Sequence, residues 1–359
     1  MAVSASTLVS TCPSSSRPLL VRAVAVLAAG VLLAGCGSEG APAAAPRPSP
    51  SPSPSPSIVV PPPPPVPAPT DPLTGAATVP AGSVVALKID NSPLARPFHR
   101  GLAEVSLLYQ EVMEGGSSRF LGVFAPATAT EVGPVRSVRE GDIELIRQFG
   151  RIALGSSGGN AGVLATVARA ARDGQLLDAT FDVTPSAYRK AERRRDAINF
   201  FTSPQKVDQV RPGGSAAKDI GLRFGPLPPG STPAGRASVR FSKITQVVAE
   251  YDAASGRYAV LQDGDRMKDY APANVVVQYV QVRGSKYVDV LGNQTPYTAT
   301  VGTGPVTILR DGQQVAGIWS RPTITSGTHL LNATGGDLLL KAGPTMVLLV
   351  PAGQPLNVG

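Results

Sequence analysis

Apolar and polar positions follow one period in the first half of the chain and another in the second. Val84 to Ile89 reads as a buried strand that ends in the turn-forming set Asp90-Asn91-Ser92-Pro93. Val105 to Val112 alternates as a second strand carrying Tyr109 and Glu111, and Glu114-Gly115-Gly116 turns the chain into a third, Arg119 to Phe124. Gly133-Pro134 breaks the pattern again. Ser137 to Phe149 has the spacing of a capped helix with Ile143, Ile146 and Phe149 inward. Arg151 to Leu154 is a short strand, and Ala161 to Ala171 an Ala-rich helix entered through Ser157-Gly158-Gly159-Asn160. Ser203-Pro204 opens a short helix to Val210. Strands alternating with helices predict an α/β unit.

The period changes after a proline- and glycine-rich stretch, Gly225 to Gly235. Val239 to Phe241, Ile244 to Tyr251, Arg257 to Leu261, Val275 to Val282, Tyr287 to Leu291, Val306 to Arg310, Gln313 to Ser320, Leu338 to Lys341 and Met346 to Val350 read as short β-branched strands, with hairpin turns at Ser255-Gly256 and Asp311-Gly312. These strands predict a barrel- or sandwich-like β-rich domain. The expected fold class is therefore mixed α+β: an N-terminal α/β domain over 79–225, a linker over 226–236 and a β-rich domain over 237–359.

The first 78 residues are not expected to contribute a core. Arg17 and Arg22 precede an apolar run, Ala23 to Ala34, too short to stay in a bilayer as a spanning helix and suited to a signal-peptide core. Leu33-Ala34-Gly35-Cys36 follows at once and resembles the bacterial lipobox: small residues fit the peptidase, and the cysteine thiol takes a thioether-linked diacylglycerol. Residues 1–35 are read as the signal peptide and 36–78 as the lipidated Cys36 with a Pro/Ala/Ser-rich linker. Each buried methylene contributes about 0.8 kcal/mol, so two acyl chains anchor stably. Repeated Ser-Pro and the prolines Pro61 to Pro65 lack amide donors, which predicts a disordered, extended stalk rising ~3.1 Å per residue.

Composition narrows the chemistry. Only Cys36 remains of two cysteines once Cys12 is removed with the signal, so no internal disulfide forms. With two histidines and no cysteine cluster, no His/Cys metal site is expected, and no motif calls for a cofactor. The formal charge of +8 is a mild excess. The run from Arg189 to Arg195 is expected to be a solvated helix face, with contact to an anionic polymer or headgroup as the alternative. An exported protein does not meet nucleic acid routinely, so no nucleic-acid partner is expected.

Polar residues gather at turns between apolar strands: Asp90, Asn91, Arg96, Tyr109, Glu111, Glu114, Arg119, Arg136 and Arg139. Three readings fit them. One is an ion-pair network tying Asp90 and Glu111 to arginines. A second is a groove whose arginines hold a carboxylate or phosphate. The third is acid–base chemistry by Asp90 and Glu111. Ser157, Gly158 and Gly159, leading into a helix, form a tight turn, contact an anion through backbone amides, or present Ser156 or Ser157 as a nucleophile with only His99 and His329 as possible imidazole partners. Trp319, the single tryptophan, is core, interface or ligand platform.

Ile89-Asp90-Asn91, Ala95-Arg96-Pro97, Gly101-Leu102, Tyr109-Gln110-Glu111, Glu114-Gly115-Gly116, Arg119-Phe120 and Gly133-Pro134-Val135-Arg136-Ser137-Val138-Arg139 together resemble the YerB-like lipoprotein family, bacterial proteins whose paired domains are catalogued as domain of unknown function 3048. Gly317-Ile318-Trp319 and Leu349-Val350-Pro351 match its C-terminal domain. The resemblance implies a two-domain protein on the outer face of a bacterial membrane and brings no assigned activity. The expected role is a cell-envelope binding or scaffold protein, with wall glycan, an anionic polymer or another envelope protein as partner. The alternative is a cell-envelope hydrolase or transferase using Asp90 and Glu111 with arginine support. If Cys36 carries the anchor, Cys36→Ser moves the protein from the membrane pellet to the soluble fraction; a variant that still pellets with membranes refutes the anchor.

Overall fold

The first strands are apolar on both faces because both faces are covered. The computed structural model describes residues 70–194, 197–289 and 292–359; the signal segment, Cys36 and the stalk up to residue 69 lie outside the described residues. In chain order the first half runs β1 (Val85–Asp90), β2 (Leu107–Val112), β3 (Ser118–Phe124), β4 (Val132–Val135), α1 (Glu140–Ile146), β5 (Ala153–Gly155), α2 (Ala161–Arg172), β6 (Leu177–Asp178), β7 (Tyr188–Arg194), β8 (Ala197–Thr202) and α3 (Pro204–Val210). The second half adds β9 (Thr232–Pro233), β10 (Arg236–Arg240), β11 (Gln246–Asp252), β12 (Arg257–Gln262), β13 (Asp265–Arg266), β14 (Asn274–Val280), β15 (Val282–Val288), β16 (Gln294–Thr298), β17 (Gly302–Arg310), β18 (Gln313–Arg321), β19 (His329–Leu331), β20 (Thr345–Pro351) and β21 (Leu356–Val358).

Both halves build one 14-stranded sheet whose main path is β19-β18-β17-β14-β20-β2-β3-β1-β4-β8-β7. Strand β20, from near the end of the chain, lies parallel to β14 on one edge and parallel to β2 on the other. On one face of this sheet, Ile143, Ile146 and Phe149 from α1 and the segment after it, with Val163 and Val167 from α2, pack on Leu107, Tyr109, Val123, Ile308 and Val347. On the other face, Phe120, Leu108 and Met346 meet Val239, Val247 and Val260 of a second, five-stranded sheet, β13-β12-β11-β10-β21. Strands dominate and helices are few. A hairpin, β15–β16, forms its own two-stranded sheet and docks on the helices: Ser285 donates to Glu140 at 2.6 Å, Tyr297 to Glu144 at 2.5 Å, and the Tyr287 and Thr166 hydroxyls are 3.2 Å apart.

Four expectations change. The linker expected through residue 78 ends earlier, since Leu73 is fully buried in the helix-side core and its amide donates to Asp71 Oδ1 at 2.9 Å. The C-terminal strands do not close into a barrel, because β20 spends both edges joining β14 to β2, whereas closure would require β14 and β20 to pair only among the C-terminal strands. The helix expected over 137–149 begins only at Glu140. The backbone of 136–138 is already bonded laterally, Arg136 N to Lys88 O at 2.9 Å and Val138 N to Gly158 O at 3.0 Å. Arg139 then caps the helix, its amide donating to Asp142 Oδ2 at 2.7 Å. The basic run is strand rather than helix through Arg194, paired with β8 at one end of the large sheet. Lysine and arginine on an end strand discourage pairing with a foreign strand, a physical reason for charge at that place. The Asp311-Gly312 turn forms as expected between β17 and β18, with φ of 53° and 69°, left-handed values that Asp and Gly tolerate.

A buried amide network stitches the two halves across the second interface. Gln110 and Gln262 exchange side-chain hydrogen bonds at 2.8 Å each, and Asn91 and Gln110 both donate to Ser118 Oγ at 2.9 Å. Truncating one member orphans the others. Gln262→Ala is therefore expected to lower unfolding free energy by about 1–3 kcal/mol in urea titration, more than a surface Gln→Ala change; a change under ~0.5 kcal/mol would refute the network's structural role.

Candidate functional site

Sheet register decides which polar residues meet. Asp90 of β1 lies opposite Arg119 of β3, and Arg119 lies opposite Glu111 of β2, so the three form one row. Residues in such a row share a face, and two positions along β1 Lys88 shares it too. That face is the one covered by α1 and the loop before α2.

Lys88 was not among the sequence candidates, yet it organises the row. Its ammonium, fully buried, contacts Glu111 Oε1 and lies 2.7 Å from Asp142 Oδ1 of α1. Burial pushes the Glu111 carboxyl up to about 7, against the pull of Lys88, and the neighbouring Asp142 pushes the same way. One ammonium shared by two carboxylates explains why Lys88 does not win. Glu111 is sealed in place: a Cβ built on Gly141 of α1 would sit 3.8 Å from Glu111 Oε2 and 3.3 Å from Thr298 O. The readable sequence signal was Lys88 itself, a charge two residues before Asp90 inside an apolar strand.

The other acids of the cluster are also held. Burial raises the Asp90 carboxyl, but Arg136, whose Nε is 2.7 Å from Oδ2, the Ser92 amide and the more distant Arg119 outweigh it and the net shift is downward. Burial likewise opposes ionisation of Glu114, and the Arg139 guanidinium overcomes it, donating from Nε at 2.7 Å and Nη2 at 2.9 Å, while Thr295 donates to Oε1 at 2.7 Å. Tyr109 is buried edge-on against Phe149, its hydroxyl bonded to Gln148, and burial raises its pKa.

Asn91 and Arg96 are not in the row. They sit on the opposite face, where Arg96 ion-pairs with Asp263 and Asp265 and donates to Gln262 O at 2.8 Å. Trp319 is buried in the core with Nε1 donating to Tyr279 O at 2.7 Å, and it does not line the cavity described next. Ser157, Gly158 and Gly159 run beside residues 136–138, the Ser157 amide donating to Arg136 O at 3.1 Å, and the buried Ser156 hydroxyl donates to Gly158 O. Neither histidine is a hydrogen-bond partner of these serines among the described residues.

A cavity of about 380 Å³ opens where β3, the loop into α2 and the β15–β16 hairpin converge, lined by Glu114, Arg119, Ser137, Arg139, Gly159 and Thr295, with Ser117, Asn160, Val288 and Asp289 at its walls. Arg119 donates to Ser137 O at 3.0 Å, and no carboxylate lies within 4 Å of it among the described residues. Burial first, then the adjacent Arg139, lowers its pKa to about 10, so it stays charged at neutral pH. The sequence candidates Glu114, Arg119, Arg139 and Gly159 thus come together; Ser137 and Asn160 were read only as residues at helix starts, and Thr295 was missed because only the hairpin docking places it here. No cluster of His, Cys, Asp and Glu suited to a metal occurs among the described residues.

Comparison with known proteins adds a family and a fold. Residues 73–216 match the family described as "Protein of unknown function (DUF3048) N-terminal domain", and residues 237–347 match its C-terminal domain. A Bacillus subtilis (strain 168) protein described as "Putative lipoprotein YerB" is 38% identical over 84 residues, 23% of this chain and 25% of that protein, so the matched stretch spans a quarter of the relative. The crystal structure of YerB protein from Bacillus subtilis superposes with a TM-score of 0.65 at 20% identity, covering 80% of this chain and 99% of that one, a likeness of fold alone.

The raised Glu111 carboxyl binds a proton that the unfolded chain has released between pH ~4.5 and 7, so this group lowers stability progressively as pH rises through that window. Glu111→Gln should flatten the fall in unfolding free energy between pH 5 and 8; an unchanged slope would show that Glu111 is ionised throughout. Lys88→Met leaves two buried acids without their cation and should cost about 3–5 kcal/mol in denaturant titration at pH 8.

Proposed function

The chain belongs to the DUF3048 family, and from that premise we propose that it is a membrane-anchored lipoprotein of the extracytoplasmic face that binds or scaffolds envelope components and carries out no chemistry. The lipoprotein part rests on the Cys36 motif and on the name of the YerB relative. Among the described residues no helix is long and apolar enough to cross a membrane, which speaks to helical spans only.

One observation carries the non-catalytic part. Each acid of the polar cluster read from the sequence is already held by a cation: Asp90 by Arg136, Glu111 by Lys88 and Glu114 by Arg139. A carboxylate pair working on a substrate needs both groups facing a shared space with room for the reacting atoms. The rival hydrolase or transferase draws on the raised Glu111 carboxyl, yet that group is packed beneath α1 and β16. The arginines serve positioning and anion recognition better than they serve turnover, since a guanidinium cannot give up its proton at neutral pH.

The full-length lipidated protein, incubated with wall glycan fragments, anionic wall polymer and envelope extract, is expected to bind one of them saturably and leave every one chemically unchanged by mass spectrometry. Turnover that disappears in Asp90→Asn or Glu111→Gln would overturn the reading in favour of the enzyme.

A further inference from the structure

Resting on the binding role proposed above, we infer that the cavity over Arg119 is a site for a monoanionic carboxylate carried on a hydroxyl- or amide-bearing envelope molecule. The argument begins with donors. A guanidinium offers five N–H groups in a planar fork, and in Arg119 one bond to Ser137 O is satisfied by the protein. Arg96, Arg136 and Arg139 each hold a carboxylate, so Arg119 is the member of the set whose fork faces a cavity without an acid within 4 Å among the described residues. Leaving such a group partly buried and unneutralised is costly, and a ligand carboxylate arriving in the plane of the fork relieves that cost with two parallel hydrogen bonds.

The lining decides between anions. Glu114 and Asp289 border the same space, and Arg139 is committed bidentately to Glu114. A phosphate dianion would bring a second negative charge towards these two carboxylates with no second cation to receive it. A carboxylate brings one charge, matched by one guanidinium. Glu114, with the hydroxyls of Ser117 and Thr295, supplies acceptor lone pairs for hydroxyl or amide N–H groups next to the carboxylate. At about 380 Å³ the space takes a sugar acid or the C-terminal residue of a peptide. The Asn160 side chain ties the floor to the roof, accepting from Gly162 N and donating to Val288 O, both at 2.8 Å, so the hairpin holds the cavity open in a fixed shape.

Both sources of carboxylate are tested together. Full-length protein in detergent is titrated calorimetrically with galacturonate, with N-acetyl-alanyl-alanine and with inorganic phosphate. Saturable binding of galacturonate or of the dipeptide is expected, and which of them binds identifies a glycan or a peptide source. Arg119→Gln should weaken binding at least roughly tenfold, and Arg119→Lys, which keeps the charge but loses the fork, by less. Ser117→Asp, which places a carboxylate at the cavity wall, provides a second variant should Arg119→Gln fail to fold, and it should also abolish binding. The site is refuted if neither carboxylate binds at concentrations on the order of 10 mM, if phosphate binds more tightly than both, or if either folded variant binds like the parent. Binding of a wall polymer that survives Arg119→Gln would refute this site and leave the binding role standing; turnover of a ligand would refute that role and leave the site standing.

Discussion

Strand β20 has two edges, and both are used within the sheet. Its amides and carbonyls pair with β14 over seven registered positions on one side and with β2 over five on the other. A strand inside a sheet has no free edge to offer solvent, and buried backbone groups must be paired, so removing β20 would strip two neighbours at once. Every other long-range arrangement follows: the C-terminal strands extend the N-terminal sheet, the five-stranded sheet lies over one face, and the β15–β16 hairpin reaches the helices on the other.

That arrangement puts charge in an interior that apolar packing otherwise fills. Lys88, Glu111 and Asp142 are buried between sheet and α1, where removal of a single partner is far more costly than loss of a surface pair. Such a group fixes geometry rather than adding much net stability. Here it sets the height of α1 above β1 and β2, and with it the position of Arg139, whose amide bonds to Asp142 and whose guanidinium holds Glu114. The Arg139–Glu114 wall of the cavity beside Arg119 is therefore positioned through Asp142, which the buried lysine holds, and its roof comes from the hairpin.

The polar cluster is consequently two systems separated by the thickness of one sheet. On the helix side are Lys88, Asp90, Glu111, Arg119, Arg136 and Arg139. On the other side are Asn91, Arg96 and Gln110, bonded to Gln262, Asp263 and Asp265 of the second half. Asp90 and Asn91 are adjacent in sequence and serve opposite faces, because successive residues of a strand point in opposite directions.

Local sequence determined much. Largely apolar runs marked β1, β2, β3 and β14, since strands covered on both faces are mostly apolar, and Val306 to Arg310 marked the buried end of β17. Asn160 and Ser203 marked the starts of α2 and α3, as short polar side chains that accept an early helical amide do, and Asp311-Gly312 marked a hairpin through its tolerance of left-handed backbone. The residues of the cluster were legible too, as charges at the ends of apolar strands. What the sequence left open was pairing: that β20 joins the two halves, that the C-terminal strands stay open, that the basic run is an end strand, and that Lys88 rather than an arginine receives Glu111. Those outcomes depend on contacts between residues tens to hundreds of positions apart, and period and propensity report only on neighbours. The difference between Asp90 held by Arg136 and Arg119 facing a cavity belongs to the same class, because it is set by strand register and by a hairpin some 170 residues further along the chain.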